Sequence, residues 1–467
     1  LGLAAARVFR PETQIIGEEH LLTAHNRPVI LIAADACRAD YLPLFNPDSP
    51  VRTPALDQLA ADGVVFTHAF AQASWTKPSF ATLFTGLYPR SHTATSKMAT
   101  LPDEVTTVAE VLQAGGYYTK GFSNNPNITS TVNFGQGFDS YIDLKPAMYF
   151  GAPPSAERMS MYQVLRRVKQ RLFSRRMVVT DFYQPAEIVT RHGLEWLDQK
   201  ASDEDFFLFL HYMDTHDPFM DPEAPNGGYA RVRIENPDPE LAEPMRRAYY
   251  REIEWMDKGI QDLLGGLKAR GLYDDAMIIF LSDHGEEFYD HGGWWHGQTL
   301  YDELIRVPLI IKPPAGGAYG QTSTMLARHI DIAPTIIAFA GLEQPEAMTG
   351  VSLFDQQGQP TALETAYIYA ENDFEGIELE AVRTAETKLI HANKGNKRDL
   401  KPVEYYDLTV DPGETESLAD QNLPNQEELE KVMEGMQAFI ADNAAEPVLL
   451  ESLDELEEQL NAIGYME

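Results

Sequence analysis

The sequence predicts an α/β fold: a large, mostly parallel sheet sandwiched by helices, followed by a smaller C-terminal antiparallel α+β subdomain. Three observations predict it. Short apolar runs end in polar loop residues, stretches of helical periodicity separate those runs, and past residue 355 the pattern changes to closely spaced, short β-rich pieces.

In chain order, Val29 to Ala33, bounded by Pro28 and Asp35, reads as a fully buried strand whose carboxyl end delivers Asp35 and Asp40 into a loop. Helical periodicity follows over Leu56 to Gly63, Val105 to Gly115 and Glu187 to Gln199. A second strand, Phe206 to Leu210, runs out into His211 to Phe219. A long helix over Met245 to Arg270 leads to a third strand, Met277 to Leu281, which ends in Ser282-Asp283-His284-Gly285. Val307 to Ile311 adds another strand and Ile330 to Gly341 another helix. Ligands of such sheets sit beyond the carboxyl ends of the strands, where these polar clusters fall. The C-terminal pieces are Ala366 to Ala370, Leu379 to Thr384, Lys388 to Ala392 and Glu404 to Leu408, with an acidic helical tail. Residues 1–355 are therefore expected to form the main domain and 356–467 a subdomain packed on it.

A chain of 467 residues, 44% hydrophobic and without low-complexity tracts, can bury a large core. Asp and Glu outnumber Lys and Arg by 71 to 37, for a formal charge of −34. That field repels nucleic acid and anionic membranes, so no nucleic-acid partner is expected. It suits a periplasmic or secreted setting, with the cytoplasm left open. No run of apolar residues is long enough to span a membrane. One cysteine, Cys37, rules out a disulfide framework within the chain. The apolar, small stretch Leu1 to Ala6 is either the remnant of a targeting or anchoring segment or an arbitrary start. Arg158 to Arg176 concentrates positive charge, as a solvated helix or as a helix lying over an anionic surface. Self-association into a homo-oligomer is compatible with all of this.

Asp35 at one strand end and Asp283-His284 at another bring two carboxylates and an imidazole to one rim. Oxygen ligands with one nitrogen suit a hard or borderline divalent ion, manganese, zinc, calcium or magnesium.

The segment Ser74-Trp75-Thr76-Lys77-Pro78-Ser79-Phe80-Ala81-Thr82-Leu83-Phe84-Thr85-Gly86 resembles the sulfatase signature of the alkaline phosphatase and sulfatase superfamily. Further ordered matches extend the resemblance over nearly the whole chain. Asp35 to Asp40 looks like the first metal loop, and Ser282-Asp283-His284-Gly285-Glu286 with His291-Gly292 and His296-Gly297 looks like the second. Asp331-Ile332-Ala333-Pro334-Thr335, Tyr406-Asp407-Leu408 with Asp411 to Glu414, and Ala462-Ile463-Gly464-Tyr465 resemble later landmarks.

Two departures bear on the chemistry. Thr76 replaces the cysteine or serine that becomes formylglycine in true sulfatases, and Phe80 replaces the arginine of the maturation signal. A threonine cannot become an aldehyde hydrate, so no formylglycine is expected. The resemblance then implies a metal-dependent phosphodiesterase or phosphonate monoester hydrolase, with Thr76 as nucleophile through a covalent phosphothreonine. The metal ligands implied are Asp35, Thr76, Asp283 and His284. His216 and His296 are the implied catalytic histidines, and Asn124, Asn125 and Lys77 the implied substrate contacts. The plainer role for Thr76 is to cap the helix that follows. The family's second aspartate is Ala36 here, which leaves a leaner site, favours manganese or zinc and weakens the case for calcium. Asp214 with His216 has the wrong spacing for a second metal of the two-zinc kind, so one ion is expected. The alternatives are a sulfatase-like sulfuric ester hydrolase, a phosphoethanolamine-type transferase, or a catalytically silent binding protein. The expected partner is a small-molecule, lipid-linked or sugar-linked ester.

Overall fold

The computed structural model describes residues 28–146, 177–200, 204–224, 226–314, 320–355, 358–361, 367–421, 423–450, 452 and 460. The leading segment Leu1 to Ala6, the basic segment Arg158 to Arg176 and the terminal Ala462 to Tyr465 lie outside them.

The main sheet is built from β1 (Val29–Ala34), β2 (Val64–Phe70), β3 (Tyr118–Ser123), β4 (Ser140–Asp143), β5 (Phe206–Tyr212), β6 (Met277–Ser282), the stub β7 (Arg306–Val307), β8 (Leu309–Lys312) and β9 (Gln321–Arg328). Its nine strands run in the order β7, β2, β8, β6, β1, β5, β3, β4, with β9 also paired to β2. β1 lies in the middle and is buried along its whole length, which is what an uninterrupted Val-Ile-Leu-Ile run needs. It pairs in parallel with β5 on one side and β6 on the other. The layers alternate by side-chain parity. Val29, Leu31 and Ala33 join a core with α2 (Thr76–Thr85), α3 (Val108–Ala114) and α6 (Ile332–Ala340). Ile30, Ile32 and Ala34 join another with α1 (Pro54–Ala61), α4 (Ala186–Leu197) and α5 (Ala242–Ala269).

The run Val307 to Ile311 does not extend the parallel set. It breaks at Pro308 into β7 and β8, and β8 is antiparallel to both β6 and β2. The reason is the connection. A parallel return needs a crossover helix, whereas between Ser282 and Arg306 the chain forms a short hairpin, Glu287–Phe288 with Trp294–Trp295, and a single turn, Asp302–Ile305. It re-enters from the end it left.

The C-terminal sheet is an antiparallel meander of β10 (Ile368–Phe374), β11 (Ile377–Arg383), β12 (Thr387–Ala392) and β13 (Val403–Asp407). Ile368, Ala370, Leu379 and Ile390 pack toward Leu300, Leu304, Ile305 and Leu326 of the main body. Tyr369, Val382, Leu389 and Tyr405 face Leu429, Met433, Met436 and Ile440 of α7 (Pro424–Asp442), the acidic tail's helix.

Candidate active site

The register of the central strands builds the site. Ala34 at the end of β1 is opposite Tyr212 of β5 and Ser282 of β6. The next residues out, Asp35 and Asp283, therefore emerge side by side, and His211 stands one step back on β5. Two hydroxyls lock the loops. Tyr249 of α5 donates to the Ala36 carbonyl at 2.7 Å and accepts the Arg38 N–H at 2.8 Å. Ser282 Oγ accepts the Cys37 N–H at 2.7 Å and donates to the His284 carbonyl at the same distance.

Each carboxylate has one oxygen held by the scaffold and one aimed into the cluster. Asp35 Oδ2 accepts from Asn125 Nδ2 at 2.8 Å, and His211 Nε2 stands 3.4 Å away. Asp283 Oδ1 accepts the Ala36 and His284 N–H groups at 3.0 and 2.8 Å. Asp35 Oδ1 and Asp283 Oδ2 are buried without a hydrogen-bond partner. His284 Nε2 lies 3.7 Å from the first and 3.4 Å from the second. His284 Nδ1 donates to the Gly285 carbonyl at 2.8 Å, which fixes the tautomer and turns the Nε2 lone pair inward. Buried polar atoms are expensive to leave unmatched, and the chemistry of this donor set matches a divalent cation. Among the described residues Asp35, Asp283 and His284 are the group whose ligand atoms converge, within 4.8 Å of one another.

The electrostatics agree. Burial opposes ionisation of Asp35, but His216, His211 and His284 together hold it below the usual carboxylate range. Burial, and then the charge of Asp35, pushes Asp283 well above that range. Burial takes His284 down to about 4, leaving it neutral, as a ligand must be. A cation held by these residues would offset the Asp35 charge that helps to raise Asp283.

Thr76 is the first residue of α2, whose N-cap is Trp75. The capping position is thus one residue earlier than the plainer reading of Thr76 supposes. Its Oγ1 lies 3.4 Å from His284 Nε2, and Asn125 Nδ2 approaches it at 3.5 Å. The start of the helix places backbone N–H groups and the positive end of its dipole beside that hydroxyl. Ser79, one turn on, donates to the Asp283 carbonyl at 2.6 Å and ties α2 to the second loop. Phe80, in the place of the family's arginine, is buried among Phe209, Phe84 and the edge of His211, so this position serves the core.

The imidazoles of His216 and His296 stand 5.0 Å apart, and His296 is 4.5 Å from His284. Glu286, quoted in the second loop motif without a role of its own, meets His296 Nδ1 at 3.0 Å and so orients that ring. Burial, with His284, His216 and Arg231 nearby, drives His296 well below its ordinary value. His211 was missed as well. Its only sequence signal was its place at a strand end.

Other expected participants are placed elsewhere. Lys77 is buried and donates to the carbonyls of Ser96, Lys97 and Ala99 at 3.0, 2.7 and 2.8 Å, which uses all three ammonium donors. Asn124 clasps the Gln184 backbone, donating at 2.6 Å and accepting at 3.0 Å. These bonds give Lys77 and Asn124 a scaffolding part. Asp40 forms a two-point pair with Arg38, and His291 bonds Glu303. Both Asp214 oxygens accept the Ala186 N–H at 3.0 Å, at the start of α4.

The sulfatase family profile matches residues 27–342, more than half of the chain. The chain belongs to the sulfatase family. A second profile, the C-terminal region of N-sulphoglucosamine sulphohydrolase, matches residues 290–443 of this sulfatase-family chain. Among curated relatives, the multifunctional alkaline phosphatase superfamily protein PehA of Trinickia caryophylli is 28% identical, over 75% of this chain and 80% of its own length. The N-acetylglucosamine-6-O-sulfatase of Bacteroides thetaiotaomicron is 24% identical, over 84% and 83%. A solved phosphonate monoester hydrolase from Silicibacter pomeroyi superposes with a TM-score of 0.67 at 21% identity, covering 89% of this chain and 96% of that one. The protein is thus a sulfatase-like member of the alkaline phosphatase superfamily, a hydrolase of ester bonds, in a family that uses a divalent metal. No helix among the described residues is long and apolar enough to cross a membrane.

Proposed function

We propose that this enzyme hydrolyses phosphoesters, either phosphodiesters or phosphonate monoesters, by attack of the Thr76 hydroxyl. The observation that carries the reading is the identity and place of Thr76. A β-branched hydroxyl that cannot become a formylglycine hydrate lies 3.4 Å from His284 Nε2, at a helix start and beside two inward carboxylate oxygens. Asp35, Asp283, His284 and Thr76 would hold the divalent ion, manganese or zinc by this donor set. When bound, the ion supplies positive charge that lowers the pKa of the hydroxyl and offsets the charge of the phosphoryl group.

The chain's own groups do the rest. Asn125 Nδ2 orients both Asp35 and the Thr76 oxygen. Thr76 Oγ1 attacks phosphorus as the bond to the leaving oxygen breaks, and the proton that the hydroxyl loses reaches that oxygen through His296 or His216. Water then attacks the phosphothreonine, its hydroxyl staying on phosphorus and the proton returning to Thr76. Glu286 holds the His296 ring for both steps.

A sulfuric ester hydrolase is the second reading, favoured by the family profile itself. A phosphoethanolamine-type transferase shares the same nucleophile. Against a silent binding protein stands the intact set of Asp35, Thr76, Asp283 and His284. The reading extends to a small-molecule, lipid-linked or sugar-linked ester as substrate and to a periplasmic or secreted setting, in line with the charge of −34. The deciding experiment measures kcat/KM of one metal-loaded preparation on matched aryl phosphodiester, phosphomonoester, phosphonate and sulfate. The expected margin of the phosphodiester or phosphonate over sulfate is at least about a hundredfold, roughly 2.7 kcal/mol. Equal efficiencies, or a preference for sulfate, overturn the reading.

A further inference from the structure

The C-terminal sheet reaches the site through one hairpin. Phe374, the last residue of β10, has its ring 5.2 Å from that of Trp75, the neighbour of Thr76. The same ring lies against Gly297, where a Cβ would come within 2.9 Å of it, and Gly297 follows His296. Asn372 donates to the Gly297 carbonyl at 2.7 Å and fixes this approach. The hairpin tip thus forms a wall of the site between the nucleophile's neighbour and the histidine's neighbour.

Beyond Phe374 the turn is Glu375-Gly376, with φ of 54° and 82°. A two-residue turn with both φ values positive favours Asn, Asp or Gly at its first position, and Glu is there instead. Its carboxylate gathers cations from three separate segments: Lys97 at 2.9 Å, Arg231 at 3.9 Å and Lys397 at 4.0 Å. Lys97 and Arg231 also sit over the Phe374 ring, at 5.7 and 5.6 Å from its centre. Arg231 is anchored to the catalytic side, since its backbone N–H donates to Asp217 Oδ2 at 2.8 Å, next to His216. Lys97 is anchored to the nucleophile's side, since Lys77, the neighbour of Thr76, holds its carbonyl at 2.7 Å. In a chain of net charge −34, three cations meeting one carboxylate at this wall stand out.

We propose that Lys97, Arg231 and Lys397, gathered by Glu375 at the hairpin tip, form a subsite for a second anionic group on the leaving portion of the ester. The enzyme then selects doubly anionic substrates, the reacting group at Thr76 and a carboxylate, sulfate or phosphate beyond Phe374. This rests on the ester hydrolase reading of the same site.

The test compares a phenyl ester with its 4-carboxyphenyl counterpart, as phosphodiesters and as sulfates, in the metal-loaded enzyme and its variants. The electronic effect of the carboxylate cancels when the ratio of the two efficiencies is compared between enzymes. Lys97→Met should lower the ratio of anionic to neutral ester at least tenfold, Lys97→Arg should keep it within threefold, and Lys397→Met, at an exposed position, should lower it at least threefold. Affinities of the same pairs for Thr76→Ala protein carrying these changes, measured by calorimetry, give the ratio without turnover. Ratios that stay within twofold in Lys97→Met and Lys397→Met show a structural ion network and overturn the subsite. The ester class that wild type turns over decides the phosphoester reading separately, because the subsite is judged on either class.

Discussion

At the scale of single residues, two oxygens define the protein. Asp35 Oδ1 and Asp283 Oδ2 are buried and unmatched, while their partner oxygens are held by Asn125, Ala36 and His284. Asp283→Asn should therefore remove bound metal, read by elemental analysis, and activity with it; a variant that retains a full equivalent of ion refutes the ligand set. Thr76→Ala should lower kcat about a thousandfold or more, as loss of other nucleophiles does. Survival of activity within tenfold would show that Thr76 is not the attacking group. Asp35, Thr76, Asp283 and His284 stand in runs with a recognisable order, which is why the sequence singles them out. No role could be read for Glu286 or His211, because their contacts, with His296 and Asp35, appear only once strands are paired.

At the scale of elements, the site depends on how α2 and the two loops are fastened. Lys77 holds the 96–99 segment through three carbonyls, and burial pushes its ammonium down to about 7 while those acceptors favour the charged form. Lys77→Met should cost about 1–3 kcal/mol, the penalty for abandoned buried acceptors. In a chain of this length that lowers Tm by roughly 1–3 °C, and an unchanged calorimetric melt would deny the tether. Gly285 is fixed by space: a Cβ there would lie 1.9 Å from the Glu303 carbonyl oxygen. Gly285→Ala should displace the loop that carries Asp283 and His284, with metal content and kcat falling together while the melt still shows a folded protein. The antiparallel β8 belongs to this scale as well. Its apolar run said strand, and only the short connection from β6 set its direction.

At the scale of the whole molecule, His291 joins the second metal loop to the C-terminal region. Its Nδ1 meets Glu303 at 2.6 Å, its Nε2 the carbonyls of Gly413 and Glu414 at 3.1 and 3.2 Å, and its ring stacks on Tyr301. Burial disfavours its charge, yet the bond to Glu303 and the nearby carboxylates raise it to about 9. A raised folded-state value means that the contribution is complete below the unfolded value of about 6.5 and is lost as pH rises through about 9. Urea midpoints at either end of that window should fall more for wild type than for His291→Gln; equal slopes would exclude the staple. Metal binding acts globally too. An ion at about a hundred times its Kd adds about 2.7 kcal/mol, roughly 3 °C in a chain of this size, and a melt insensitive to chelator would contradict the site.

The sequence by itself determined the strand ends that carry Asp35, Asp283 and His284, the sandwich of helices, the C-terminal antiparallel sheet and the superfamily, because apolar runs, periodicity and ordered motifs are properties of neighbouring residues. The tertiary structure alone decided the direction of β8, the scaffolding places of Lys77 and Asn124, the aim of Glu286 and His211, and the arrival of Phe374 and Glu375 beside Trp75. Each of these depends on which backbone group, ring or charge from a distant segment lies within a few ångströms. No local pattern encodes that, because the partners become neighbours only when burial of the sheet's two faces brings their segments together.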